Sequence, residues 1–301
     1  MKHHYIPQFY LRPWLGPDHK LEEFGREPRS GQIRSRRRGT NSTGYEDDLY
    51  TIPGATEDTK HNIERIFMGA VDKTAAAARD QLMNNVIPDG NERAAWARFL
   101  MSLAMRTPAE IRDFQNKFVD DYMAEDDFYE LKYQAIRKDG WPETLVDYLK
   151  QEGREAAERR AITIATDLMQ HENVTRLFMS ARWWVLDTSK VRRHLMTSDH
   201  PVVMTNGLGK DDGHFALAIG PRRLFIAFMK ERFSENFRRM PVGKIVRLFN
   251  DAVVGQGRKN VYGTDNSNIA EVRRMMGKRE YISLIPKPQR IMNQVAPRNR
   301  G

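Results

Sequence analysis

Arg182-Trp183-Trp184-Val185-Leu186 decides the fold class. A β-branched valine beside two tryptophans favours a strand, and the segment follows a long run of helical periodicity. That run opens over 57–85, where Ile63, Ile66, Phe67, Ala70 and Val71 recur at helical spacing and Glu57 and Asp58 place acid in the first turn. A second helix is expected over 92–105, with Trp96, Phe99, Leu100 and Leu103 on one face, ended by Thr107-Pro108. Further helices are expected over 109–137, 142–151 and 154–178, the last with Ala161, Ile164, Ala165 and Leu168 as its apolar stripe.

Strand signals flank this helical region on both sides. Ahead of it lie 21–24, 32–34 and 44–52, the last stopped by Pro53-Gly54. Behind it lie 194–197 and 202–205 around Ser198-Asp199-His200-Pro201, then 214–219 and 223–229 as a hairpin around Gly220-Pro221. Helices over 241–254 and 268–276 and a strand over 281–285 complete the order. Strands are segregated from helices, which predicts an α+β fold: a helical bundle packed on a mostly antiparallel sheet formed by strands from the N-terminus and the C-terminal half. The expected organisation is one domain over 1–285, with its helical region at about 57–180, and a mobile Pro/Arg/Asn-rich tail over 286–301.

The 301 residues are 40% hydrophobic and 30% charged, an ordinary balance for a globular chain. No apolar run approaches the roughly 18 residues of a membrane span, and His3, His4 and Gln8 interrupt any signal-peptide layout. The absence of cysteine excludes disulfides, zinc–thiolate sites, iron–sulfur clusters and cysteine nucleophiles, and suits the reducing cytoplasm, the compartment expected here. A net charge of +9 attracts phosphates, nucleic acid or anionic lipid, or reflects scattered surface arginines; with no membrane-spanning run, nucleic acid or a nucleotide is the partner expected. No Walker loop, strand-borne GxGxxG, HExxH or GxSxG is present.

Several polar residues stand out. Met1 to Arg12 carries His3, His4, Gln8 and Arg12 among Ile6, Phe9, Tyr10 and Leu11, apolar enough to pull the segment into a core. Adjacent residues of an extended segment face opposite ways, so at most one of the two histidines should enter a given site. Asp199 sits in a turn, where it could act as metal ligand, base or orienting carboxylate; Ser198 and Asp199 also suit plain turn chemistry. Glu64 borders a buried helix face, with Arg106 as a candidate cation partner. Asn250 and Tyr262 could orient a ligand or merely cap and pack. Arg34-Ser35-Arg36-Arg37-Arg38 could contact phosphates or form a solvated loop, and Trp183-Trp184 could stack a base or divide between core and edge.

The opening His3-His4-Tyr5-Ile6-Pro7-Gln8-Phe9-Tyr10-Leu11-Arg12, with Glu64, Arg106-Thr107-Pro108, Ser198-Asp199-His200-Pro201, and Asn250 before Tyr262, resembles the uncharacterised family called domain of unknown function 4238. The resemblance spans nearly the whole chain and brings no established activity. It implies that these separated polar positions belong to one site. The family pattern often carries asparagine where this chain has His200, so it assigns His200 no role.

The expected function is a nuclease-like phosphodiester hydrolase acting on nucleic acid. His3 or His4 serves as base or metal ligand, and Asp199 and Glu64 orient it or join His4 in holding a divalent metal. Arg106 or Arg12 stabilises phosphate charge, with Gln8, Ser198, Asn250 and Tyr262 contacting substrate. The alternatives are a non-catalytic nucleic-acid or nucleotide-binding module and a purely structural polar network.

Overall fold

The computed structural model describes residues 1–52, 54–56, 61–124, 126–206, 210–281 and 283–284, without the side chains of 65–67. The chain opens with β1 (Lys2–His4), a short helix α1 (Gln8–Leu11), β2 (Leu21–Arg26), β3 (Ile33–Arg38) and β4 (Tyr45–Asp47). A π-helical turn (Ile63–Met68) leads into α2 (Gly69–Met83), α3 (Gly90–Met105), α4 (Pro108–Tyr122), α5 (Asp127–Ile136), α6 (Leu145–Glu152), α7 (Arg154–Met169) and α8 (Glu172–Ser180). Then come β5 (Arg182–Asp187), β6 (Thr197–Ser198), β7 (Val203–Thr205), β8 (His214–Gly220) and β9 (Arg223–Phe228). The helices α9 (Glu231–Arg239) and α10 (Val242–Gln256), strand β10 (Asn260–Gly263) and helix α11 (Ile269–Met275) follow.

The class is α+β, but the strands form three antiparallel sheets rather than one. β1 pairs with β4 alone, β3-β2-β10-β6 join the N-terminal hairpin to the C-terminal half, and β5-β9-β8-β7 come from the C-terminal half only. α3 buries the stripe the sequence predicts, Trp96, Phe99, Leu100 and Leu103; α7 buries Ala161 and Ala165 and half-buries Ile164 and Leu168; α10 buries Ile245, Val246 and Phe249. On α2 the stripe is Val71, Ala75, Ala78 and Leu82, and Ala70 is exposed. Trp183 fills the core beneath the Arg93 guanidinium, 3.9 Å from its ring centre, while Trp184 lies at the edge, so neither offers a bare face to a base. No helix among the described residues is long and apolar enough to cross a membrane.

Several boundaries differ from expectation. The strand predicted over 44–52 ends at Asp47, because Asp48 adopts φ +58° and its carbonyl accepts the Thr51 N–H in a turn. The helix predicted over 109–137 is two, since the Asp126 carboxylate takes the N–H groups of Phe128 and Tyr129 and starts a new helix. That over 154–178 breaks at Gln170 and His171. The strand predicted over 194–197 is reduced to Thr197–Ser198, and Tyr281, Ser283 and Leu284 are not in a strand. β10, α1 and α9 were not anticipated. Residues 57–60 of the predicted first helix, Pro53, and the predicted tail over 286–301 lie outside the described residues.

The opening segment is pinned into the fold. Pro7 fixes the turn into α1, which aims Tyr10 and Trp14 inward with no solvent exposure. The Tyr10 hydroxyl donates to the Ala218 carbonyl on β8 and lies 2.8 Å from the Thr197 hydroxyl on β6, so one side chain links the two four-stranded sheets. Trp14 Nε1 donates to the Leu195 carbonyl at 2.9 Å. Tyr10→Phe strands a buried hydroxyl and a carbonyl together, and is expected to cost about 1–3 kcal/mol. Urea unfolding of the two proteins measures it; an unchanged midpoint would show that the link carries no stability.

Candidate functional site

The alternation of β1 separates the two histidines, as an extended strand requires. His3 is fully buried. It stacks on Tyr50 at 5.6 Å and turns its other edge to His61, with Nε2 3.1 Å from His61 Nδ1. Asp48 approaches His61 at 3.9 Å, and the ligand atoms of His3, Asp48 and His61 lie within 4.8 Å of one another. This group has the residue types of a metal site, yet the tautomer opposes it. His3 Nδ1 accepts the Tyr50 N–H at 2.9 Å, so the proton of neutral His3 sits on Nε2 and points at His61. A ligating histidine does the reverse, donating from its second nitrogen. Burial, then the neighbouring His61, pushes the His3 pKa down to about 4, which keeps the ring neutral at pH 7. The pair is a hydrogen bond that fixes β1.

His4 faces the other way, toward Tyr45, Glu64 and Arg106. The π-helical turn presents Glu64, a backbone form that recurs at functional sites. Glu64 Oε1 accepts the His4 N–H at 3.2 Å. Arg106, at the C-terminal end of α3, has no exposed side-chain surface; its Nη1 donates to Asp72 Oδ1 at 2.9 Å. The cation predicted as the partner of Glu64 is thus bound to Asp72 instead. The Tyr50 hydroxyl donates to the Arg106 carbonyl at 2.7 Å and fixes the end of the helix.

Among the described residues, four buried polar atoms of this cluster have no partner: His4 Nε2, Glu64 Oε2, and Arg106 Nε and Nη2. Burying such groups without partners costs stability, so four of them in one cluster mark it as a candidate site. Arg106 Nε and Nη2 form the edge of the guanidinium that matches two oxygens of a phosphate or carboxylate. Burial raises the Glu64 pKa to about 7, against the opposing pull of the His4 N–H and Arg106. His4 is pushed below its ordinary value, first by burial and then by Lys2 and Arg106. A neutral imidazole, a carboxyl poised near neutrality and a fixed cation together can bind an oxyanion and move a proton beside it.

The other predicted residues lie elsewhere. Asp199 accepts the N–H groups of Arg258 (2.8 Å), Lys259 (2.5 Å) and Asn260 (3.3 Å), so it organises the loop leading into β10. Among the described residues, His4, Asp199 and Glu64 do not converge into a metal triad. The Ser198 hydroxyl is spent on the backbone of His200. Asn250 is buried and clamps the Met196 N–H and the His194 carbonyl. Buried Tyr262 meets the Thr43 hydroxyl at 3.1 Å, Gln8 meets Thr40 at 3.5 Å, and Arg12 is exposed. The arginines of β3 are not a free phosphate-binding loop: Arg34 and Arg36 pair with Glu27, Arg37 with Asp18 and Glu22, and Arg38 with Glu23.

The sequence reading missed Tyr50, His61 and Asp72. His61 stands three positions before Glu64, a spacing that was available as a signal; Tyr50 and Asp72 become relevant only through tertiary contact. The pattern of the family described as "Protein of unknown function (DUF4238)" matches residues 2–267, so the chain belongs to that family. No curated protein and no solved structure matches it.

The Glu64 pKa of about 7 lies above its ordinary 4.5, so the folded chain holds this proton more tightly than the unfolded chain. Ionisation then costs stability that accrues between those two values and stays constant at higher pH. Glu64→Gln keeps an acceptor for the His4 N–H and removes the charge. It should stabilise the protein by on the order of 2–3 kcal/mol at pH 8, with the gain gone by pH 4. The opposite trend from His3, whose stabilising contribution is lost as pH falls from 6.5 toward 4, is common to both proteins and cancels. Thermal unfolding across pH measures the difference; a constant offset would refute a buried ionising Glu64.

Proposed function

We propose that this member of the DUF4238 family is a hydrolase of phosphodiesters, acting on nucleic acid in the manner of a nuclease. The observation that carries the reading is the free, fully buried Nε–Nη2 edge of Arg106 beside unpartnered Glu64 Oε2 and His4 Nε2. Two non-bridging phosphate oxygens match that edge, and the charge that builds on them during attack falls on a cation already fixed by Asp72. Ionised Glu64 takes the proton of a water as its oxygen bonds to phosphorus. The bond to the leaving oxygen breaks, and that oxygen recovers a proton from Glu64 or through His4. Arg106 is fully buried, and His4 and Glu64 are half-buried residues beside it whose unpartnered atoms face inward. The net charge of +9 favours a polyanionic substrate.

The test is incubation of the purified protein with single-stranded DNA, RNA and bis(p-nitrophenyl) phosphate, with and without Mg²⁺ or Mn²⁺. Glu64→Gln is expected to lower kcat/KM by about 10²-fold or more, and Arg106→Lys by about 10²–10³-fold. For the parent, kcat/KM should rise through pH of about 7, where Glu64 ionises, and Glu64→Gln should lose that inflection. Equal cleavage by all three proteins would mark a contaminant. No cleavage of any phosphodiester, with binding retained and weakened in Arg106→Lys, would leave a binding module instead.

A further inference from the structure

Thr107 follows Arg106 but faces a different cluster. It caps α4, its Oγ1 accepting the Glu110 N–H at 3.3 Å. The same oxygen lies 3.5 Å from His200 Nε2, and on the far side of that ring His200 Nδ1 lies 3.4 Å from Asp199 Oδ1. All three residues are buried, and the Tyr281 ring packs on the imidazole at 4.3 Å. Hydroxyl, imidazole and carboxylate thus occur in the order that activates an oxygen nucleophile. Three backbone N–H groups hold Asp199. Its Oδ1 favours the His200 tautomer with the proton on Nδ1, which leaves Nε2 as the base facing Thr107. Both separations are long for a hydrogen bond, as is common before substrate tightens such a site. At the head of the 15-residue α4, the helix dipole favours negative charge developing beside Thr107.

Thr107 and His200 also line a cleft walled by Leu103, Val202, Met204 and Phe215. The cavity there is only about 20 Å³, room for one small group. We infer that Thr107 is an acyl-accepting nucleophile, with His200 as its base and Asp199 as a positioning residue, for esters of a short acyl group of about acetyl size. Thr107 Oγ1 bonds to the carbonyl carbon while its proton passes to His200 Nε2. The bond to the leaving alkoxide then breaks as His200 returns that proton to it. Water, deprotonated by His200, releases the acid and restores the hydroxyl. This activity uses none of the atoms assigned to phosphodiester cleavage.

The experiment is p-nitrophenyl acetate with the full chain, read by nitrophenolate release and, after acid quench, by intact mass and peptide mapping. One acetyl on the Thr107 peptide, or turnover abolished in Thr107→Val, is expected. His200→Gln should lower the rate by about 10²-fold or more, and Thr107→Ser, which keeps the hydroxyl, should retain activity. Asp199→Asn should lower kcat with KM little changed, because the imidazole loses the carboxylate that fixes its tautomer and orientation. Thermal unfolding confirms that each variant is folded. Acetylation confined to lysine or tyrosine, turnover indifferent to Thr107→Val, or an unchanged rate in His200→Gln overturns the inference.

Discussion

A guanidinium with no solvent exposure is the constraint around which this structure is organised. Burying Arg106 removes a permanent cation from water, which is tolerable only with an opposite charge and further hydrogen bonds. Asp72 on α2 supplies the charge, and the Tyr50 hydroxyl donates to the backbone carbonyl of Arg106. Burial also raises the Asp72 pKa, against the pull of Arg106, so the pair is a compromise rather than a surplus of stability. Two of the guanidinium's nitrogens, Nε and Nη2, have no partner among the described residues, which is the feature that makes this buried ion pair a candidate site.

The N-terminal segment makes the constraint tenable. β1 runs against β4, bringing His4 beside Glu64 and placing His3 between Tyr50 and His61. Tyr10 and Trp14 then tie the following turn to both four-stranded sheets. The junction of α3 and α4 divides the chemistry: Arg106 turns toward the histidine strand, and Thr107 toward the aspartate turn.

Local periodicity made much of the fold legible. The α3 stripe, the split of Trp183 and Trp184 between core and edge, and the opposite facing of His3 and His4 all follow from spacing along one element. What could not be read was decided by partners distant in sequence. Asn260-Val261-Tyr262-Gly263 is too short to announce a strand, yet β10 lies between β2 and β6 and gains its order from both. Turn chemistry and site chemistry select the same side chain at Asp199, and only tertiary contact shows that its carboxylate takes three amide N–H groups of the loop into β10 while also facing His200. Asp72 carries no local signal, since only the packing of α2 on α3 brings it to Arg106.

β3 is the open edge of its sheet, and it carries Arg34, Arg36, Arg37 and Arg38 within six residues. An unpaired strand edge is a template on which a second chain can extend the sheet. Here Arg273 Nε–H already occupies the Ile33 carbonyl at the start of that edge, and the arginines beside it are tied to Glu27, Asp18, Glu22 and Glu23. An incoming strand would have to displace these ordered charged side chains, so the ion pairs that stiffen the hairpin also shield its edge.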